Sequence, residues 1–90
     1  MSDITITKER IDRLMNTAEY DVITMYDKLT IVCAKLENGF VLTESSGCID
    51  PANYDVKVGV ALCKSKIRQK LWEMEGYALQ KDLHKILKGD

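Results

Sequence analysis

With 90 residues, 13 Lys/Arg and 14 Asp/Glu, the chain makes one domain, residues 1–90, with a single small core and no cationic surplus to grip nucleic acid by charge alone. Residues 1–55 hold five basic against ten acidic side chains, a net −5, and residues 56–90 hold eight against four, a net +4. This asymmetry suggests contact between unlike halves of neighbouring chains, or an anionic ligand on the second half, against the plainer alternative of a solvated helix face.

Thr7 is placed to cap a helix, with Glu9 in the first turn and Ile6 and Ile11 at the spacing of a hydrophobic staple. Ile11, Leu14, Met15 and Ala18 recur at i, i+3, i+4 and i+7, which predicts a short amphipathic helix over 8–18. From Glu19 the period changes to two. Tyr20–Tyr26 is β-branched and aromatic, and Asp27-Lys28 offers a tight turn. Leu29–Leu36 is apolar on both faces in its middle and reads as a central strand. Glu37-Asn38-Gly39 is a hairpin signal, and Phe40–Glu44 returns as the third strand of an antiparallel meander.

A polar junction follows, Ser45-Ser46-Gly47-Cys48-Ile49-Asp50-Pro51-Ala52-Asn53-Tyr54-Asp55, which holds the only proline. Asp50 before Pro51 is a helix-entry signal. Beyond it Val56, Val60, Cys63, Ile67, Leu71 and Met74 repeat at helical spacing, a stripe long enough to cover one sheet face. Gly76 is expected to kink or end this helix. Leu79, Leu83, Ile86 and Leu87 then form either a second helix or an extension, an apolar surface suited to a subunit contact. The fold class expected is α+β: a short N-terminal helix at one edge, a three-stranded antiparallel meander and a long C-terminal helix.

Chemistry is sparse. Cys33, Cys48 and Cys63 form no C-x-x-C pair, which argues against a disulfide framework and a zinc site. Cys33 and Cys63 read as small core hydrophobes, and Cys48 is a junction thiol with no base near it in sequence. His84, the one histidine, falls in the tail pattern far from any candidate nucleophile, so no catalytic residue, metal ligand or cofactor is assigned. Met1-Ser2-Asp3-Ile4 has no basic-then-apolar leader character and no run reaches membrane-spanning length, so the expectation is a soluble cytoplasmic protein.

An anion site is the stronger reading. Ser45 and Ser46 offer hydroxyls beside a helix start near Asp50–Asp55, Asn53 an amide and Tyr54 a ring for stacking. Lys64 and Arg68 supply charge along the helix, Arg68 with bidentate geometry for phosphate, while Lys57 lies on the same face. Asp50 and Asp55 oppose this by placing negative charge where a phosphate would sit. Trp72 and Tyr77 read as packing beneath the tail.

Lys28-Leu29-Thr30-Ile31-Val32, Asn38-Gly39-Phe40, Cys48–Asp55 and Leu71-Trp72-Glu73-Met74-Glu75-Gly76-Tyr77 occur in an order and spacing that resembles a known family. It is the small tailed-phage protein family named for gene product forty-nine of one coliphage and gene sixty-six of a Shigella phage. The resemblance runs from about Thr7 to Gln80, and Lys81–Asp90 departs from it. It implies a phage source and the host cytoplasm as setting, not a mechanism. For a small phage protein without catalytic residues, the leading expectation is a non-enzymatic, homo-oligomeric sponge that sequesters a cyclic-nucleotide or related nucleotide immune signal. Its ligand residues would be Ser45, Ser46, Asp50, Asn53, Tyr54, Lys64 and Arg68. The alternative is a protein that binds and inhibits or redirects a host protein through a sheet edge or the tail helix. Nucleic-acid regulation is disfavoured by the acidic balance and the lack of a recognition motif.

Overall fold

A computed structural model describes residues 5–89. Helix α1 spans Lys8–Thr17, strands β1 Glu19–Met25, β2 Leu29–Lys35 and β3 Val41–Gly47, a short 3-10 turn Pro51–Asn53, and helix α2 Val56–Leu87. The strands form one antiparallel sheet in the order β1-β2-β3, so the expected α+β architecture is the observed one.

Each boundary has a local cause. The Thr7 hydroxyl accepts from the Arg10 N–H and caps α1, while Ile11 is fully buried and Ile6 packs with it into the core. The first hairpin turns at Tyr26 and Asp27, one residue earlier than expected; both take φ +55°, and the Lys28 N–H donates to the Met25 carbonyl. Two consecutive left-handed residues match the twist of a tight hairpin, which overrides the preference of a tyrosine for negative φ. In the second hairpin Gly39 takes φ +94° and the Asn38 side chain accepts from the Phe40 N–H, as Asn-Gly chemistry requires.

The third strand begins and ends later than expected, at Val41 and Gly47. Ser45 and Ser46 are therefore strand residues, paired with Ile31 and Thr30. Ser and Gly are weak strand formers, but the β2 ladder supplies partners that local propensity does not.

Alternation sorts the sheet into two faces. Thr30, Val32 and Ala34 are fully buried beneath α2 with Leu42, and they form the core with Ile11, Cys63, Ile67 and Leu71. Ile23, Met25, Leu29, Ile31 and Cys33 alternate onto the other face and are exposed or half-buried. The centre of β2 is thus covered on one side only, because α1 packs on α2 through Arg10–Glu75 and Arg68–Asp12 ion pairs instead of crossing the second face.

Gly76 neither ends nor kinks α2, which runs unbroken for 32 residues. The solvent around it leaves nothing for a Cβ to strike, so only the weak intrinsic cost of glycine opposes helix there. Val56, placed in the buried stripe by spacing, is 40% exposed; Gly59 is buried in that row instead. At about 1.5 Å per residue the helix outruns the seven-residue strands, which gives the molecule its 58 × 20 × 20 Å extents. Among the described residues, no helix is long and apolar enough to cross a membrane.

Candidate functional site

The first turn of α2 meets the sheet at a row of hydroxyls. Thr24, Thr30 and Ser46 stand side by side across the three strands on the α2 face. The Tyr54 hydroxyl lies 2.6 Å from Thr30 Oγ1 and 2.9 Å from Thr24 Oγ1, so one hydroxyl hydrogen-bonds to both threonines. Helix and strand approach so closely here that a Cβ on Gly59 would collide with Thr30 Oγ1 and sit 2.8 Å from Thr30 Cβ. Cys63, one turn on, donates its thiol to the Thr30 carbonyl, and burial pushes that thiol's pKa up.

Pinning Tyr54 folds the junction back and leaves a pocket of about 210 Å³. Ser46, Gly47 and Cys48 form one wall, Asn53, Tyr54 and Asp55 the rim, and Val58, Gly59 and Leu62 an apolar floor. The β3 wall is held in place: the Cys48 N–H donates to the Lys28 carbonyl, and the Lys28 ammonium donates to the Ile49 carbonyl. Asp55 caps α2 by accepting from the Lys57 N–H, and Asp50 caps only the short 3-10 turn through the Ala52 N–H.

Of the residues singled out from sequence, Ser46, Asn53 and Tyr54 come together at this pocket. The Ser45 side chain alternates onto the opposite sheet face, and its backbone carbonyl, on edge strand β3, accepts from the Lys66 ammonium of α2. Asp50 lies outside the lining. Lys64 and Arg68 point to the α1 side of the helix: the Lys64 ammonium sits 4.3 Å from the centre of the Tyr20 ring, and Arg68 pairs with Asp12. Hydrogen bonds from Lys8 and Arg68 hold the Asp12 carboxyl below its ordinary pKa. On the β3 side Lys70 does the same for Glu44. Burial pushes the Tyr20 phenol up while it donates to the Met15 carbonyl. The pocket lining therefore carries one carboxylate, Asp55, and no Lys or Arg.

Thr24, Thr30, Gly59, Val58 and Leu62 belong to the site and were not legible as such. A threonine in a strand reads as β-branched filling. The one signal was Gly59, which shares the row of Cys63, Ile67 and Leu71 and marks where a helix passes close to another backbone.

A second, open groove of about 410 Å³ lies between the chain entering α1 and the far half of α2, lined by Thr5, Ile6, Trp72, Gly76, Leu79, Gln80 and Leu83. Trp72 is at its edge, 38% exposed, and Tyr77 is 70% exposed instead of packed beneath the tail. Among the described residues no group of three or more His, Cys, Asp or Glu side chains is arranged to hold a metal ion.

Fold and pocket define a small α+β protein with an open pocket at the sheet–helix junction. The chain belongs to the phage protein (N4 Gp49/phage Sf6 gene 66) family, whose model matches residues 6–83. No curated protein and no solved structure matches it.

Proposed function

We propose that this phage protein is a non-enzymatic anti-defence protein: a homo-oligomer that sequesters a nucleotide immune signal, cyclic or related, in the pocket between the β3 end and the start of α2. The observation that carries this reading is the pocket itself. Its apolar floor of Val58 and Leu62 suits a base, and the Ser46 hydroxyl and the Asn53 amide suit sugar hydroxyls. At about 210 Å³ it is smaller than the roughly 300–1,000 Å³ of a complete small-ligand site, which fits half a site shared between subunits. The chemistry-bearing groups around it are engaged in structure. The Cys48 thiol donates to the Asp50 carbonyl, Asp55 caps the helix and Tyr54 is tied to two threonines. That favours holding a ligand over transforming it.

The test is a thermal-shift screen of the purified protein against cyclic di- and trinucleotides and cyclic ADP-ribose isomers. A ligand confined to the folded state stabilises it by about 2.7 kcal/mol at a hundredfold excess over Kd. A shift of roughly 10 °C or more with one ligand, recovered chemically intact, is the expected result. Recovery of a cleaved product would make the protein an enzyme, and no shift with any ligand would remove the sponge reading.

A second reading, capture of a host protein, is favoured by the uncovered sheet face bearing Ile23, Met25, Leu29, Ile31 and Cys33. Apolar faces of this kind commonly mark partner sites. It predicts that Ile31→Lys abolishes co-purification of one host protein and leaves any nucleotide-induced shift intact.

A further inference from the structure

Helix α2 carries apolar side chains on two opposed faces along its length. One is the row that packs on the sheet. The other lies across the helix from it: Val58, Leu62, Ser65, Gln69, Trp72, Gly76, Leu79, Leu83 and Ile86 recur at strict four-three spacing, Val58 and Leu62 bordering the β3 pocket and Trp72, Gly76, Leu79 and Leu83 the groove beside Thr5 and Ile6. This is a seam without one charged residue in a helix rich in lysine. Val58 is 55% exposed, Leu62 49% and Ile86 73%, whereas an ordinary solvent face of such a helix would be charged. Four-three spacing sustained over about four heptads is the pattern of a helix that packs along another helix.

We propose that this seam is a homodimer interface, occupied by α2 of a second copy running antiparallel. The flanking charges choose the direction and the register. When Leu62 meets the partner's Leu79 and Val58 meets the partner's Leu83, Lys66 lies across from the partner's Glu73. In the same register Gln69 meets the partner's Trp72, and Ser65 meets the partner's Gly76, a small-on-small layer that lets the helices approach. Sliding by one heptad brings Glu73 opposite the partner's Glu73 and Glu75 opposite the partner's Glu75, which repels. A parallel pair loses the Lys66–Glu73 match and sets the two helix dipoles side by side in the same sense. Glu73 has no ion-pair partner within the described residues, and Lys66, whose ammonium donates to the Ser45 carbonyl, has no carboxylate partner there, whereas Arg68 and Glu75 are already paired with α1.

The dimer also completes the pocket. In this register the partner's Leu83 and Leu79 close over Val58 and Leu62, so a base in the dimer lies at the edge of that apolar contact instead of on an open floor. The partner's last turns come alongside Asp55, and the partner's Lys88 brings the positive charge that the lining of one chain lacks. The interface itself does not depend on the ligand: a dimer that binds no nucleotide would sink the sponge reading and leave this one standing.

The experiment is the solution mass of the full chain by sedimentation equilibrium, for wild type and four variants, each checked for helical circular dichroism. Wild type is expected at twice the 10.2 kDa of one chain, or at an even multiple of it. Leu62→Glu, at a half-exposed position, is expected to fold and to halve that mass. Lys66→Glu and Glu73→Lys are each expected to weaken association about tenfold or more, and Lys66→Glu/Glu73→Lys together to restore it. A folded wild type that is monomeric, or an oligomer indifferent to Leu62→Glu, overturns the interface. Failure of the paired reversal to restore association overturns the register.

Discussion

Two residues fix the junction, and each fails in its own way. Tyr54 closes the pocket rim through one hydroxyl shared with two threonines, of which Thr30 is fully buried. Tyr54→Phe keeps the ring but leaves the Thr30 hydroxyl without that partner, at a cost of about 1–2 kcal/mol. The expected result is a melting temperature lowered by roughly 5–10 °C, with the pocket distorted. Gly59 fails by crowding. An alanine there would drive its Cβ into Thr30 and lift α2 off β2, so Gly59→Ala should cost about 3 kcal/mol in urea unfolding. Arg68, given a phosphate-binding role on charge and spacing, lies on the α1 side of the helix. Arg68→Ala should therefore leave nucleotide affinity unchanged and cost under about 1 kcal/mol, as partly exposed ion pairs do.

Elements were legible where period and turn chemistry agreed. Helix α1 could be read from Thr7 and the Ile11 stripe, and the meander from the Asn38-Gly39 turn and alternation in β2. The first turn was displaced by a residue because Tyr26 is a poor candidate for positive φ, and only the completed ladder, with Met25 opposite Leu29, demands it. Replacing Tyr26-Asp27 with Asn-Gly should relieve that strain and raise stability by about 1 kcal/mol, measured by urea unfolding. The end of α2 was obscured by Gly76, whose local cost is small beside the gain from continuing the helix. Gly76→Ala, with open space for its Cβ, should stabilise the monomeric fold by about 0.5–1 kcal/mol. The outer seam of α2 was read only at its far end, where Leu79, Leu83 and Ile86 suggested a subunit contact; its continuation back through Trp72 and Leu62 to Val58 was also written in the sequence. That continuation went unread because the sheet-facing row satisfies a helical pattern by itself, and a second face shows only once the first is known to be covered.

At the scale of the whole molecule, α1, α2 and the sheet are joined by ion pairs as well as by the core. Asp12 ties α1 to α2 through Arg68, and Glu44 ties β3 to α2 through Lys70. Both carboxyls have folded pKa values depressed by their cationic partners. The stability they contribute is therefore fully present above the ordinary carboxylate range, near pH 4, and is lost as the pH falls through the depressed values. Melting temperature should be flat from pH 7 to about 5 and fall below about 4. The Asp12→Asn/Glu44→Gln variant should show a lower plateau and a shallower acid limb. The polar junction drew attention in the sequence as a ligand site, and the pocket does form there. Its missing cations were sought on the same helix, but Lys64 is held over the Tyr20 ring and Arg68 by Asp12, and local spacing gives no account of long-range pairing.

The most direct measurement is amide chemical-shift mapping of the isotope-labelled protein titrated with the nucleotide that gives the largest thermal shift. Saturable shifts are expected at Ser46–Cys48, Asn53–Asp55 and Val58–Leu62, together with the last turns of α2 around His84 and Lys88 that the proposed dimer would place beside the site. Shifts confined to the Lys64 and Arg68 side of the helix, or to the open face of the sheet, would contradict the pocket as the place where this protein holds its ligand.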